Sequence, residues 1–89
     1  MLGSNVWTGG YELDLVLRRG RRLVFCEVKA KSGAGFGDPL EMITDEKIRR
    51  LAQAGESWLA GHPEAAGLEV GYEAVALRAG RLQRVPLVL

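Results

Sequence analysis

The chain is short, nearly neutral and of ordinary globular composition. Its 89 residues are 47% hydrophobic and 26% charged, with a formal net charge of +1, which excludes a disordered chain and a globally basic nucleic-acid-binding surface. The single cysteine, Cys26, excludes an intrachain disulfide and indicates a reducing cytoplasm. No apolar run is long enough to span a membrane, and the start of the chain lacks the basic and apolar regions of a signal peptide. We therefore expect one cytoplasmic domain over residues 1–89, with no membrane partner.

The first two predicted elements are strands joined by a turn. Residues 11–17 alternate in the manner of a strand. The stretch "RRGRR" at 18–22 contains the permissive Gly20, and residues 22–31 form the next strand, so we predict an antiparallel hairpin. One face of the first strand carries Leu13, Leu15 and Leu17, and the other carries Glu12, Asp14 and Val16.

The rest of the chain predicts a loop, a helix and two further strands. Three glycines and a proline mark residues 32–43 as a loop. Thr44 is the predicted N-cap of a helix over about 45–60, where apolar residues recur at helical spacing. Strands follow at about 68–78 and 81–88. The predicted order is β-β-α-β-β, an α/β fold with a mixed sheet.

The second strand carries charges among its apolar residues. "LVFCEVKAK" at 23–31 begins apolar on both faces, which is typical of a strand covered on both sides. Glu27 and Lys29 share one of these faces. Because a carboxylate or an ammonium group is costly to remove from water unless it is paired or metal-bound, these residues indicate an ion pair or a metal site. Cys26 faces the other way, and we predict that it is a core residue and not a nucleophile.

Carboxylates of the two strands approach one another in either register of the hairpin. A four-residue loop at 19–22 would set Asp14 opposite Glu27. A two-residue turn would set Glu12 opposite Glu27, with Asp14 one diagonal away. Like charges this close repel strongly unless a cation lies between them, and hard oxygen ligands favour Mg²⁺ or Mn²⁺. The hairpin therefore predicts a divalent-metal site.

The pattern of Asp14 followed across the hairpin by Glu27-Val28-Lys29 resembles the core of the PD-(D/E)xK nuclease superfamily. That superfamily includes restriction enzymes and Holliday-junction resolvases. More widely, from about residue 5 to the C-terminus, the chain resembles the YraN-like family of predicted endonucleases. The matching motif positions, in chain order, are Asn5, Glu12, Asp14, Glu27, Lys29, Phe36, Gly37, Thr44 and Lys47.

The resemblance implies a restriction-endonuclease-like fold that hydrolyses phosphodiester bonds in DNA, branched DNA included. It implies that Asp14 and Glu27, with the main-chain carbonyl of Val28, hold Mg²⁺ or Mn²⁺. Lys29 would orient the attacking water or neutralise charge on the phosphate. Glu12 would support the first ion or bind a second. The predicted DNA-binding residues are Lys31, Lys47 and Arg50.

Three departures from the family pattern affect these expectations. Tyr11 is inserted between Gly10 and Glu12, and Lys31 replaces the usual arginine. The family normally begins with a helix ahead of Asn5, which in this superfamily often contributes an acidic residue, so we expect the 89 residues alone to be weakly active or inactive and a leading helix to restore activity. Without that helix the leucine face of the first strand is short of cover, which predicts a homodimer.

Two other classes of function remain open on the sequence. One is a non-catalytic nucleic-acid-binding module on a nuclease scaffold. The other is a structural or partner-binding domain whose charged residues form only a buried ion pair. Metal binding would distinguish a nuclease from the structural or partner-binding domain. DNA cleavage would distinguish a nuclease from the non-catalytic binding module.

We interpret "RRGRR" as a hairpin tip, His62 as part of the helix stop, and Trp7 and Trp58 as packing residues.

Overall fold

In the residues that the structure describes, the fold is a five-stranded sheet with one long helix packed on one face. The computed structural model describes residues 2–31, 43–78 and 80–87. Neighbouring strands are antiparallel except β3 and β4, which are parallel, and the order across the sheet is β1-β2-β3-β4-β5. This arrangement is the predicted α/β class with a mixed sheet. The elements are β1 (Gly3–Thr8), β2 (Tyr11–Arg19), β3 (Arg22–Lys31), α1 (Asp45–Ala60), a short 3₁₀ helix (Pro63–Ala65), β4 (Glu69–Arg78) and β5 (Arg81–Pro86).

The strand β1 was not predicted, so the expected order β-β-α-β-β was wrong by one strand. β1 pairs with β2 through a two-residue turn in which Gly9 and Gly10 have φ values of 60° and 77°. Two successive left-handed residues form the turn whose twist suits a hairpin, and glycine adopts them without steric cost. The predicted loop over 32–43 lies outside the described residues, except for its last position.

The helix agrees with its prediction at both ends. Thr44 is the N-cap, and its hydroxyl accepts a hydrogen bond of 3.2 Å from the backbone amide of Lys47. Asp45 and Glu46 occupy the first turn, where they complement the helix dipole. Among the described residues, no helix has the length and the apolar character needed to cross a membrane. The residues that α1 buries against the sheet are Leu51, Ala54, Gly55 and Trp58.

Phe25 lies at the centre of the core between α1 and the sheet. Its side chain is 0% exposed, and its ring meets Trp58 edge-on at 5.6 Å and Tyr72 at 5.5 Å between centroids. Gly55 allows this close packing, because a Cβ there would lie 2.6 Å from the Tyr72 hydroxyl. The packing role predicted for Trp58 is confirmed. The core cluster comprises Leu13, Val16, Leu23, Phe25, Leu51, Ala54, Trp58 and Ala65.

The sheet face opposite α1, called the far face below, has a smaller apolar cluster. Val24, Cys26 and Val75 are buried there, with Leu15, Leu17 and Val28 packed against them. The core position predicted for Cys26 is therefore confirmed. Burial, helped by the nearby negative charge of Glu73, raises the pKa of the Cys26 thiol to about 11, which keeps it protonated and non-nucleophilic at neutral pH. Trp7, by contrast, is 71% exposed, so its predicted packing role was wrong.

The alternation of β2 changes phase at Asp14. Leu13 belongs to the core beneath α1, whereas Leu15 and Leu17 pack on the far face, so the prediction that the three leucines share one face was wrong. β1 changes phase at the same level, where Asn5 has a φ of 52°. Asparagine is among the few side chains that adopt this left-handed conformation readily. The irregularities of β1 and β2 therefore lie at the level of Asp14, the first predicted metal ligand.

Candidate active site

The register of the β2–β3 hairpin brings Asp14 and Glu27 to neighbouring positions. Arg19 pairs with Arg22 across a two-residue turn, and the ladder continues to Leu15 opposite Cys26. The next residues along the two strands are Asp14 and Glu27. This is the register that the sequence analysis assigned to a four-residue loop. The observed turn has two residues and not the four that were assumed for this register. The expectation that a two-residue turn would set Glu12 opposite Glu27 was wrong.

Asp14 holds the end of this ladder with its side chain. Its Oδ2 atom accepts a hydrogen bond of 2.8 Å from the backbone amide of Val28. An ionised acceptor makes such a bond stronger than one between neutral groups. Where β2 changes phase, the Val28 amide therefore donates to the Asp14 carboxylate in place of a main-chain carbonyl of β2. This hydrogen bond fixes the Asp14 carboxylate beside β3.

Glu27 is one of two buried acidic residues in the described part of the chain, with 5% of its surface exposed. Its Oε2 atom accepts a hydrogen bond of 2.9 Å from the Tyr11 hydroxyl. Its Oε1 atom lies 3.2 Å from Nζ of Lys29, whose side chain is 23% exposed. Both oxygens of a carboxylate that is nearly excluded from water are therefore engaged, which is the condition for burying such a charge. Tyr11, Asp14, Glu27 and Lys29 are called the Glu27 cluster below.

Tyr11 is the member of this cluster that the sequence analysis did not assign to the site. Burial first, and then the hydrogen bond and negative charge of Glu27, raise the pKa of its phenol well above the ordinary value. The phenol is therefore protonated at neutral pH and serves as a donor. The available signal was its place directly after the Gly9-Gly10 turn and directly before the acidic strand positions.

The donor atoms of the cluster suit a hard divalent cation in kind. Asp14 and Glu27 contribute carboxylate oxygens, and each oxygen has more than one lone pair to offer. In the described ranges, no three His, Cys, Asp or Glu side chains come together as a metal-binding group. A cation held by Asp14 and Glu27 would therefore complete its shell with main-chain oxygen and water.

Glu12, another predicted site residue, lies apart from the Glu27 cluster. Glu12 is paired with Trp7 and precedes Leu13. Since Leu13 points under α1, strand alternation directs Glu12 to the far face. The structure therefore does not bring Glu12 to Glu27 on the α1 side. The role predicted for Glu12 stays a prediction.

The predicted DNA-binding residues lie on α1 and at the end of β3. Arg50 is exposed and forms an ion pair of 2.7 Å with Glu46, one turn earlier on α1. Lys47 is half-buried in the first turn of the same helix. The Lys31 side chain lies outside the described part of the chain.

His62 and the "RRGRR" tip, both interpreted as structural, have contacts that agree with this interpretation. The His62 ring stacks on Trp58 with 3.7 Å between centroids and an angle of 8°. Its Nδ1 atom lies 2.7 Å from the Trp58 carbonyl oxygen at the end of α1. In the "RRGRR" tip, Arg18 donates to the Gly20 carbonyl and Arg21 to the Gly67 carbonyl, so at least two of its arginines support the local backbone.

Comparison with known proteins places the chain in a family without giving it a function. A sequence model described as "Uncharacterised protein family UPF0102" matches residues 1–85. A UPF0102 protein of Acidothermus cellulolyticus is 53% identical over 51 residues, covering 57% of this chain and 39% of the relative. One from Frankia alni is 52% identical over 54 residues, covering 61% and 45%. One from Saccharophagus degradans is 30% identical over 82 residues, covering 92% and 70%.

The extent of these matches limits what they say about the whole protein. The chain spans about half the length of several of the curated relatives it matches. The names of these relatives state no substrate, activity or partner. The family match nevertheless covers nearly all of the sequence. The chain belongs to the uncharacterised protein family UPF0102, the YraN-like group that its motifs resemble.

Proposed function

We propose that this protein is a metal-dependent endonuclease that hydrolyses phosphodiester bonds in DNA, branched DNA included. The observation that carries the proposal is the Glu27 carboxylate, which is buried beside Asp14 and 3.2 Å from the Lys29 ammonium group. A site for phosphodiester hydrolysis needs oxygen ligands for a cation and a positive group for charge that builds on the phosphate. The cluster supplies both on adjacent strands. The resemblance to the PD-(D/E)xK superfamily supports the same assignment.

In this proposal Asp14 and Glu27, with the Val28 carbonyl, hold Mg²⁺ or Mn²⁺. The bound ion would polarise the scissile phosphate and lower the pKa of the attacking water. Lys29 neutralises charge on the phosphate oxygens, since its ammonium group is partly exposed and lies at the cluster. Its contact with Glu27 keeps it in place while DNA is absent.

DNA would approach the cluster along the exposed side of α1. Arg50 is exposed there and Lys47 is half-buried in the same helix, and both are candidates for phosphate contacts, as is Lys31 at the end of β3. Because the formal net charge is only +1, DNA affinity depends on such local groups and should fall steeply with added salt. A DNA substrate and the free, buried Cys26 accord with a cytoplasmic location.

A second candidate function is a non-catalytic nucleic-acid-binding module on the same scaffold. The observation that favours it is that no group of three metal-binding side chains comes together in the described residues, and both oxygens of Glu27 already have protein partners. Such a module would bind DNA through the same basic residues without cleaving it. Binding without metal-dependent nicking is the result that would favour this function over the first.

The proposal is tested with supercoiled plasmid and a four-way DNA junction. We expect slow nicking in Mg²⁺ or Mn²⁺ that a chelator stops, because the two carboxylates bind the ion only loosely. The measurement is the rate of conversion of supercoiled to open-circular plasmid, repeated with a version extended to the length of the relatives. Cleavage that continues in chelator, or no cleavage by either version, would contradict the nuclease assignment.

We also propose a homodimer that associates through the far face. Leu77 and Leu82 are paired across β4 and β5 and are 41% and 65% exposed, and apolar patches of this kind commonly mark interfaces. We expect Leu82→Lys to shift the mass measured by light scattering from dimer to monomer. Val70→Lys is the matched control, since Val70 is also exposed but by strand alternation points to the α1 side. A monomeric wild-type chain at micromolar concentration would contradict the proposal.

A further inference from the structure

Tyr11 makes a contact that the proposed catalytic scheme does not use. Its hydroxyl donates to Oε2 of Glu27 across 2.9 Å, and its ring packs against the core beneath α1. The residue directly follows the Gly9-Gly10 turn as the first residue of β2, and its backbone pairs with Thr8 of β1. The hydroxyl therefore reaches Glu27 from a rigid part of the fold.

The two donors to Glu27 differ in how firmly they can hold it. Lys29 is a flexible side chain that is 23% exposed. In the proposed scheme its ammonium group moves from Glu27 to the phosphate of DNA. The Tyr11 ring has few rotatable bonds and is partly buried. When Lys29 turns toward a substrate, the Tyr11 hydroxyl is the donor that still orients the carboxylate.

We propose that Tyr11 is a positioning residue that holds Glu27 in the orientation in which it binds a divalent cation. This inference rests on the proposed function, since it assigns Tyr11 a role in that same site. Metal-ligating carboxylates are generally hydrogen-bonded by neighbouring groups, and loss of such a partner costs about 10-fold to 100-fold in metal affinity. Tyr11 supplies such a partner to Glu27 across 2.9 Å.

The opposite role, in which Tyr11 competes with the cation for Glu27, is disfavoured by the chemistry of the contact. An ionised carboxylate has about four lone-pair sites, and the Tyr11 hydroxyl occupies one of them. The hydroxyl is neutral, so it leaves the negative charge of Glu27 available to the cation. Lys29 is the donor whose charge opposes cation binding.

The test compares Tyr11→Phe with Tyr72→Phe in the full 89-residue chain. Tyr72 also packs in the core beneath α1, but its hydroxyl lies over Gly55 and not at Glu27. The readout is the dissociation constant for Mn²⁺, from the electron paramagnetic resonance signal of the free ion. We expect about 10-fold to 100-fold weaker binding for Tyr11→Phe and unchanged binding for Tyr72→Phe. Nicking by Tyr11→Phe should then recover at saturating Mn²⁺, which a merely structural defect would not do.

The possible outcomes separate this inference from the proposed function. Equal or tighter Mn²⁺ binding by Tyr11→Phe overturns the positioning role, even if the wild-type chain binds the ion and nicks DNA. An equal loss in Tyr72→Phe also overturns it, because the effect would then come from general loosening of the core. A wild-type chain that binds no Mn²⁺ overturns both the metal site and the inference, and thermal melts of the two variants show whether each is folded.

Discussion

The variant Glu27→Gln is expected to lose metal-dependent nicking by at least about 100-fold, since misplacing or weakening a bound ion has effects of this order on rate. Glutamine keeps the shape of the side chain and an oxygen that can accept from Tyr11. It removes the negative charge that a cation requires. Glu73→Gln is the matched control, because Glu73 is the other buried acid of the described chain but lies on the far face and pairs with Arg84 at 2.7 Å. The measurement is plasmid nicking in Mn²⁺ beside a thermal melt without metal.

Asp14 extends this prediction, because its carboxylate has two roles that two substitutions can separate. Asp14→Asn retains an oxygen that can accept from the Val28 amide, so it should lose nicking while the fold is kept. Asp14→Ala removes that acceptor as well and should cost about 1–3 kcal/mol of stability. The contact with the Val28 amide is the reason that alanine at position 14 costs stability as well as nicking. If Glu27→Gln and Asp14→Asn strongly destabilise the fold, these carboxylates are structural ion-pair partners.

The variant Phe25→Ala is expected to lower the free energy of unfolding by about 3–5 kcal/mol. The cost is high because Phe25 is fully buried between Trp58 and Tyr72, and rigid aromatic neighbours can close only part of the cavity. Small domains have a total stability of about 5–15 kcal/mol, so much of the chain would be unfolded at moderate temperature. Urea denaturation monitored by circular dichroism measures the change.

Trp7→Ala is the control for this second prediction. It removes a larger aromatic side chain, but one that is 71% exposed on an edge strand. Substitutions at such surface positions usually change stability by less than about 0.5 kcal/mol. A loss at Trp7 equal to that at Phe25 would mean that the far side of β1 is covered in solution, which would instead support association through that face.

The elements that the sequence determined by itself are those governed by local periodicity and capping. Thr44 and the spacing of apolar residues predicted α1, which extends over Asp45–Ala60. The two-residue period of a strand placed Glu27 and Lys29 on one face and Cys26 on the other, as their contacts show. These predictions succeeded because each depends on residues only a few positions apart.

The tertiary structure alone decided how the candidate site is assembled. The period of β2 shifts at Asp14, at the level where Asn5 on the neighbouring strand β1 takes a left-handed conformation, and no pattern within β2 encodes a feature of β1. The hydrogen bond from Tyr11 to Glu27 joins residues 16 positions apart, so it depends on the register of the hairpin. The period of the sequence reveals which residues share a face of a strand. The atoms that meet across two strands depend on strand register and on local backbone irregularities. Both of these are established only when the whole sheet is packed.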